Sequence, residues 1–142
     1  MSFHEGLDDL GTYYQIRKVE GTTPILFIHG VGLDHSMWSP QTDFFKNQTT
    51  IVYDLIGHGY STCTQHEVNF EDFSFQIESL LQILRIQKVI IIGFSLGGLI
   101  AAHFSSTRKH YALKTVLFGT IFNRTDEQQK KAVERFINVK ET

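Results

Sequence analysis

Hydrophobic residues along this chain fall into short runs separated by polar, glycine-bearing stretches, with one longer helical repeat among them. Ile25-Leu26-Phe27-Ile28, Thr50-Ile51-Val52-Tyr53, Val89-Ile90-Ile91-Ile92 and Leu113 to Phe118 are too short for helices and rich in branched side chains. Runs of that kind fit short strands, with Ile25 to Ile28 and Val89 to Ile92 reading as buried. Residues 12–20, with Tyr13, Tyr14, Ile16 and Val19, read as a first strand closed by a turn at Gly21. Phe70, Phe73, Ile77, Leu80, Leu81 and Leu84 recur at helical spacing behind an Asn69 cap that Asp72 can reciprocate. Ser39-Pro40 marks another helix start, with serine capping and proline at the first helical position, running to about Asn47. Gly98 onward reads as a helix packed on the sheet. Thr125 to Asn138 reads as a charged helix, partly buried through Ala132, Val133, Phe136 and Ile137. Strands alternating with helices predict an α/β fold: an open, mostly parallel sheet with helices on both faces.

Composition narrows the classes. The 142 residues suffice for a single domain with a real core, 42% hydrophobic and 20% charged. Net charge is -2 with no basic patch, which argues against a nucleic-acid partner. Cys63 is the only cysteine, so neither an internal disulfide nor a thiolate metal cluster is expected. Met1 to Gly11 is polar and acidic, unlike a signal peptide, so the expected compartment is the cytoplasm. The sequons at Asn47-Gln48-Thr49 and Asn123-Arg124-Thr125 are then chance matches. Val89 to Phe104 is mostly apolar but shorter than the roughly 18 residues of a spanning helix, so no membrane partner is expected.

The candidate chemistry lies at Gly93-Phe94-Ser95-Leu96-Gly97-Gly98. A serine set between small residues, where a strand turns sharply into a helix, is the pattern of a nucleophile elbow. The start of the helix favours negative charge beside it. Acyl transfer also needs a base, a group that orients it, and donors for the oxyanion. The donors in this pattern are the backbone N–H after the nucleophile and one from an earlier strand-to-helix loop. Here they would be Leu96 and, in His29-Gly30-Val31-Gly32, Val31.

Three motifs in order, His29-Gly30-Val31-Gly32, Asp54-Leu55-Ile56-Gly57-His58-Gly59-Tyr60-Ser61 and Gly93 to Gly98, each close a predicted strand. With them the chain resembles the α/β-hydrolase superfamily. Gly30 to Trp38 looks most like the branch holding 3-oxoadipate enol-lactonases and small carboxylesterases. The resemblance implies a serine hydrolase of a small ester or lactone, with Ser95 as nucleophile, Val31 and Leu96 as oxyanion donors, and no metal or organic cofactor. His29, Gly30, Gly32, Phe94 and Trp38 would support the loops or line the pocket. By the same resemblance, the chain is one α/β-hydrolase domain over 1–142, truncated, with a cap beginning in 124–142.

The resemblance covers only the first half of the family's fold. Members place an acid and then a histidine after the nucleophile. After Ser95 this chain has only His103 and His110. His103 is eight residues along the same helix, about 12 Å away at 1.5 Å per residue. His110 belongs to the opposite end of the sheet. The expectation is a nucleophile and oxyanion hole whose acid and base lie beyond residue 142, leaving this chain alone inactive. A non-catalytic alternative stays open: a truncated module binding a ligand or partner, or self-associating through the apolar edge near Leu113 to Phe118.

The remaining polar residues read more plainly. His29 and His58 are expected to stabilise their loops, and Asp54 to bond nearby backbone. Cys63 is expected to be a small filler. Gly57-His58-Gly59 begins like a dinucleotide fingerprint, but Thr62 stands where its last glycine would be. Trp38, with His35 and Met37, either lines a substrate pocket or packs the loop onto the core.

Overall fold

A computed structural model describes residues 1–63, 67–120, 125–128, 130, 131 and 134. Among these residues, six strands form one sheet in the order β1-β2-β4-β3-β5-β6. They are β1 (Ser2–Leu7), β2 (Tyr13–Lys18), β3 (Ile25–Ile28), β4 (Thr50–Tyr53), β5 (Val89–Phe94) and β6 (Ala112–Phe118). β3 runs parallel to β4 and β5, and β5 parallel to β6. β1 and β2 add an antiparallel hairpin at one side, with Ser2 opposite Lys18 and Leu7 opposite Tyr13. The sheet is therefore mixed and mostly parallel, as the alternation of elements predicted.

Side chains of successive strand residues leave opposite faces of a sheet. Leu26, Ile28, Ile51, Tyr53, Val89 and Ile91 accordingly enter one apolar layer. The helices α2 (Phe70–Ile83) and α3 (Leu96–Thr107) close that layer with Phe73, Ile77, Leu80, Leu81, Ile100 and Phe104. Ile25, Phe27 and Val52 enter the other layer with Trp38, flanked by half-buried Ile90, Ile92 and Phe94. A 3-10 turn (His35–Trp38) leads into the short helix α1 (Ser39–Phe44) beside this second layer.

Local signals explain the helix ends. Asn69 caps α2 by accepting from the Asp72 N–H, and the Asp72 carboxylate accepts the Asn69 N–H in return. The expected serine cap at Ser39 is not formed. Asp34 caps the preceding 3-10 turn by accepting from the Ser36 N–H, so α1 continues from Trp38 and needs no side-chain cap. α1 also ends at Phe44, three residues short of Asn47. The strand β1 is absent from the sequence expectation, which reads Met1 to Gly11 only as a polar, acidic stretch. Its residues are nearly all exposed, so no buried face patterns them. Of the expected helix after Thr125, residues 126–128, 130, 131 and 134 are helical, while Ala132, Val133, Phe136 and Ile137 lie outside the described residues. No helix among the described residues is long and apolar enough to cross a membrane.

The α2 contribution to the core is testable. Leu80→Ala should cost about 3 kcal/mol in urea unfolding, because Leu80 is fully buried against the sheet. Phe75→Ala, on the exposed side of α2, should change stability by less than about 0.5 kcal/mol. Equal costs at the two positions would contradict this packing.

Candidate active site

The loops after β3, β4 and β5 all leave the carboxyl ends of parallel strands, where open α/β sheets form their crevices. The turn from β5 to α3 is made by one residue. Ser95 has φ 56° and ψ -117°, a left-handed conformation that costs a non-glycine residue roughly 1–3 kcal/mol. It stands immediately before the first residue of α3 and is half-buried.

Neighbouring backbone leaves little choice about that turn. A Cβ at Gly93 would overlap the Gly97 carbonyl, and one at Gly97 would overlap the Ile28 and His29 carbonyl oxygens. The first turn of α3 thus lies directly against the end of β3. Gly30 faces the Phe94 ring, where an added Cβ would sit 3.2 Å from a ring carbon. The His29–Gly32 loop and the Ser95 turn are therefore adjacent. Among the described residues, no acceptor takes the N–H of Val31 or of Leu96.

His29 is completely buried below this loop. Its Nε2 accepts from the Leu55 N–H at 3.0 Å, which leaves the ring proton on Nδ1, 2.7 Å from the Gly30 carbonyl it donates to. Burial pushes its pKa down to about 4, against the opposing pull of that carbonyl. A neutral imidazole thus ties the loop after β3 to the loop after β4. The Gly30 carbonyl also accepts from the Leu33 N–H, and Gly32 completes the turn at φ 74°.

Asp54 serves the neighbouring loop in the same way. Its buried carboxylate accepts from the His35 N–H at 2.7 Å, from His35 Nδ1 at 2.8 Å and from the Tyr60 N–H at 2.9 Å. The Asp54 bond to His35 joins residues 19 apart, a longer reach than bonding nearby backbone. Asp34, His35 and Asp54 place possible metal-ligating atoms within 4.8 Å of one another. Those atoms are already engaged: Asp34 by Ser36, whose bonds hold its carboxyl below the usual range, and Asp54 by His35 and Tyr60. The donor set fits loop bracing better than a cation.

Six of the seven histidines are described, and each has a partner away from the Ser95 hydroxyl. His29 and His35 are held as above. His58 Nδ1 bonds the Ile56 carbonyl, and His103 Nδ1 lies 2.7 Å from Ser74 Oγ on α2. His4 and His110 lie against Tyr14 and Tyr111, at the hairpin and at the α3–β6 turn. No carboxylate or histidine among the described residues hydrogen-bonds Ser95 Oγ. Trp38 is buried, its ring against those of Phe27 and Phe118, and the half-buried Phe94 ring also meets Phe118.

One partner of the turn has no sequence signature. The Ser95 N–H donates to the Phe118 carbonyl at 3.1 Å, and Thr120 Oγ1 lies 3.2 Å from the Ser95 carbonyl. Both come from the end of β6, which the sequence marks only as an apolar strand.

This architecture is that of the alpha/beta hydrolase fold, whose family model matches residues 23–139. The chain belongs to that family. It is 29% identical over 125 residues to the (E)-2-((N-methylformamido)methylene)succinate hydrolase of Acinetobacter baylyi, covering 87% of this chain and 47% of that protein. To 3-oxoadipate enol-lactonase 1 of the same organism it is 35% identical over 88 residues, covering 61% of this chain and 33% of the enzyme. A carboxylesterase structure from Nitrososphaera gargenis superposes with a TM-score of 0.84 at 21% identity, covering 98% of this chain and 53% of that one. An N-acyl homoserine lactonase complexed with N-hexanoyl homoserine gives 0.73 at 26% identity, covering 84% of this chain and 45% of that one. The chain spans about half the length, or less, of the curated relatives it matches.

The buried imidazole has a measurable consequence. An unfolded histidine binds its proton near pH 6.5, whereas folded His29 does so only near 4. Its contribution to stability is full above pH 6.5 and is lost as pH falls toward 4, because the unfolded chain takes up the proton first. Urea unfolding at pH 7 and 4.5 should show wild type losing on the order of 2–3 kcal/mol more than His29→Asn. Equal losses in the two proteins would contradict a buried neutral His29.

Proposed function

We propose that this chain carries the nucleophile half of a serine hydrolase acting on a small carboxylic ester or lactone. The Ser95 hydroxyl attacks the carbonyl carbon and gives its proton to a histidine base as the C–O bond forms. The Val31 and Leu96 N–H groups receive the oxyanion, and the α3 N-terminus adds a favourable field. Collapse of the tetrahedral intermediate expels the alcohol, or opens the lactone, and leaves an acyl group on Ser95. Water then releases the acid. Loss of one oxyanion donor in such a hole costs roughly 3 kcal/mol in the transition state.

The observation supporting this reading is the conformation of Ser95. Ser95 is held at φ 56° where the first turn of α3 meets the end of β3, beside a loop with an open N–H, and such strain clusters at functional sites. The ester or lactone class is supported by the names of the relatives, among them an enol-lactonase and a carboxylesterase. The described histidines are all engaged elsewhere, so the base and its acid are assigned to sequence beyond residue 142. The cap is assigned to begin in 124–142, where Arg124 lies outside the described residues.

A second reading, a binding module without catalysis, is favoured by β6. Among the described residues that strand ends the sheet, and Leu113, Val116 and Phe118 on it are exposed. An edge of this kind invites pairing with another chain. A fluorophosphonate probe separates the readings. The complete protein should be labelled at Ser95 and Ser95→Ala should not, while the 142-residue chain alone should react at the background rate. A folded complete protein left unlabelled, with the short chain self-associating, would overturn the hydrolase in favour of the module.

A further inference from the structure

We infer that Thr120 is a positioning residue for the Leu96 N–H, and so for the oxyanion hole. The inference rests on the assignment of Ser95 and Leu96 above. The Ser95 carbonyl and the Leu96 N–H belong to one peptide unit. That unit is planar and trans, so its oxygen and its hydrogen point in opposite directions. Whatever fixes the oxygen aims the N–H.

Three donors converge on that oxygen. The Gly98 N–H is at 2.9 Å and the Leu99 N–H at 3.3 Å, both from the first turn of α3. Thr120 Oγ1 is at 3.2 Å and comes from outside the helix. The Thr120 hydroxyl also lies 3.3 Å from the Phe118 carbonyl, so one proton is shared between two acceptors. The Phe118 carbonyl in turn accepts the Ser95 N–H. The end of β6 therefore grips Ser95 at both of its backbone polar groups. The helix donors tie the turn to α3, and Thr120 ties it to the segment after β6.

Space for this contact is reserved. A Cβ at Gly98 would overlap Thr120 Oγ1, so glycine at this position admits the hydroxyl to the Ser95 carbonyl. The contact also acts electronically. A hydrogen bond to a peptide oxygen polarises the whole unit and strengthens its N–H as a donor. Charge developing on the substrate oxygen in the transition state is where that donor strength matters.

Thr120→Val keeps the shape and removes the hydroxyl, and Thr120→Ser keeps the hydroxyl. In the complete protein, Thr120→Val should lower kcat by about three- to tenfold, the scale of one neutral hydrogen bond, with KM unchanged. Thr120→Ser should restore it. In the 142-residue chain, the Leu96 amide proton should move upfield in Thr120→Val and not in Thr120→Ser, with the Val89 amide unmoved. That second arm needs no base and no turnover. Wild-type kcat together with an unmoved Leu96 resonance in Thr120→Val would overturn the proposal. An unlabelled Ser95 in the wild-type complete protein overturns the hydrolase reading instead, and leaves the Leu96 resonance to decide the backbone contact on its own.

Discussion

The first turn of α3 lies so close to the end of β3 that neither Gly93 nor Gly97 has room for a methyl group. Everything near the candidate site follows from that approach. The helix can start there only if the chain reverses within one residue, and Ser95 takes the reversal at φ 56°. The same approach puts the His29–Gly32 loop beside the Ser95 turn, with Gly30 against Phe94. It also sets the positive end of α3 beside the His29–Gly32 loop. Packing, turn geometry and electrostatics are one constraint seen at three scales.

The loops around that turn are braced by buried polar groups. His29 is neutral, donating through one nitrogen and accepting through the other, and so joins the loops after β3 and β4. Asp54 receives three donors from residues 35 and 60. Gln76 on α2 extends the bracing by donating to the Asp54 carbonyl and the Thr12 hydroxyl and accepting from the Ile56 N–H. A buried polar group left without such partners costs on the order of 1–3 kcal/mol, so these bonds hold the loops in register with one another. These buried side chains thus fix the backbone of the loops that flank the Ser95 turn.

The sequence revealed those parts whose physics is local. The α2 repeat and its Asn69–Asp72 cap are written within fifteen or so residues, as helical periodicity and capping demand. The four-residue buried strands and the glycine motifs behind them are legible because burial and tight backbone approach each restrict residue type. Strand β1 was hidden, since Ser2–Leu7 is exposed and becomes a strand only by pairing with β2. The α1 start at Ser39-Pro40 is legible, but its serine cap is not formed because Asp34 caps the 3-10 turn before it. Thr120 and Phe118 could not be read at all. Their bonds to Ser95 span more than twenty residues and leave no mark on composition or spacing.

Ser95 is held in a conformation that its own side chain opposes. Replacing a strained non-glycine residue with glycine relieves the strain, and that gain competes with the extra entropy of an unfolded glycine. Urea unfolding of Ser95→Gly and Ser95→Ala tests the balance directly. Glycine should be more stable than both wild type and alanine by about 1 kcal/mol, with alanine within about 0.5 kcal/mol of wild type. Glycine less stable than alanine, as at an ordinary helical position, would contradict the account.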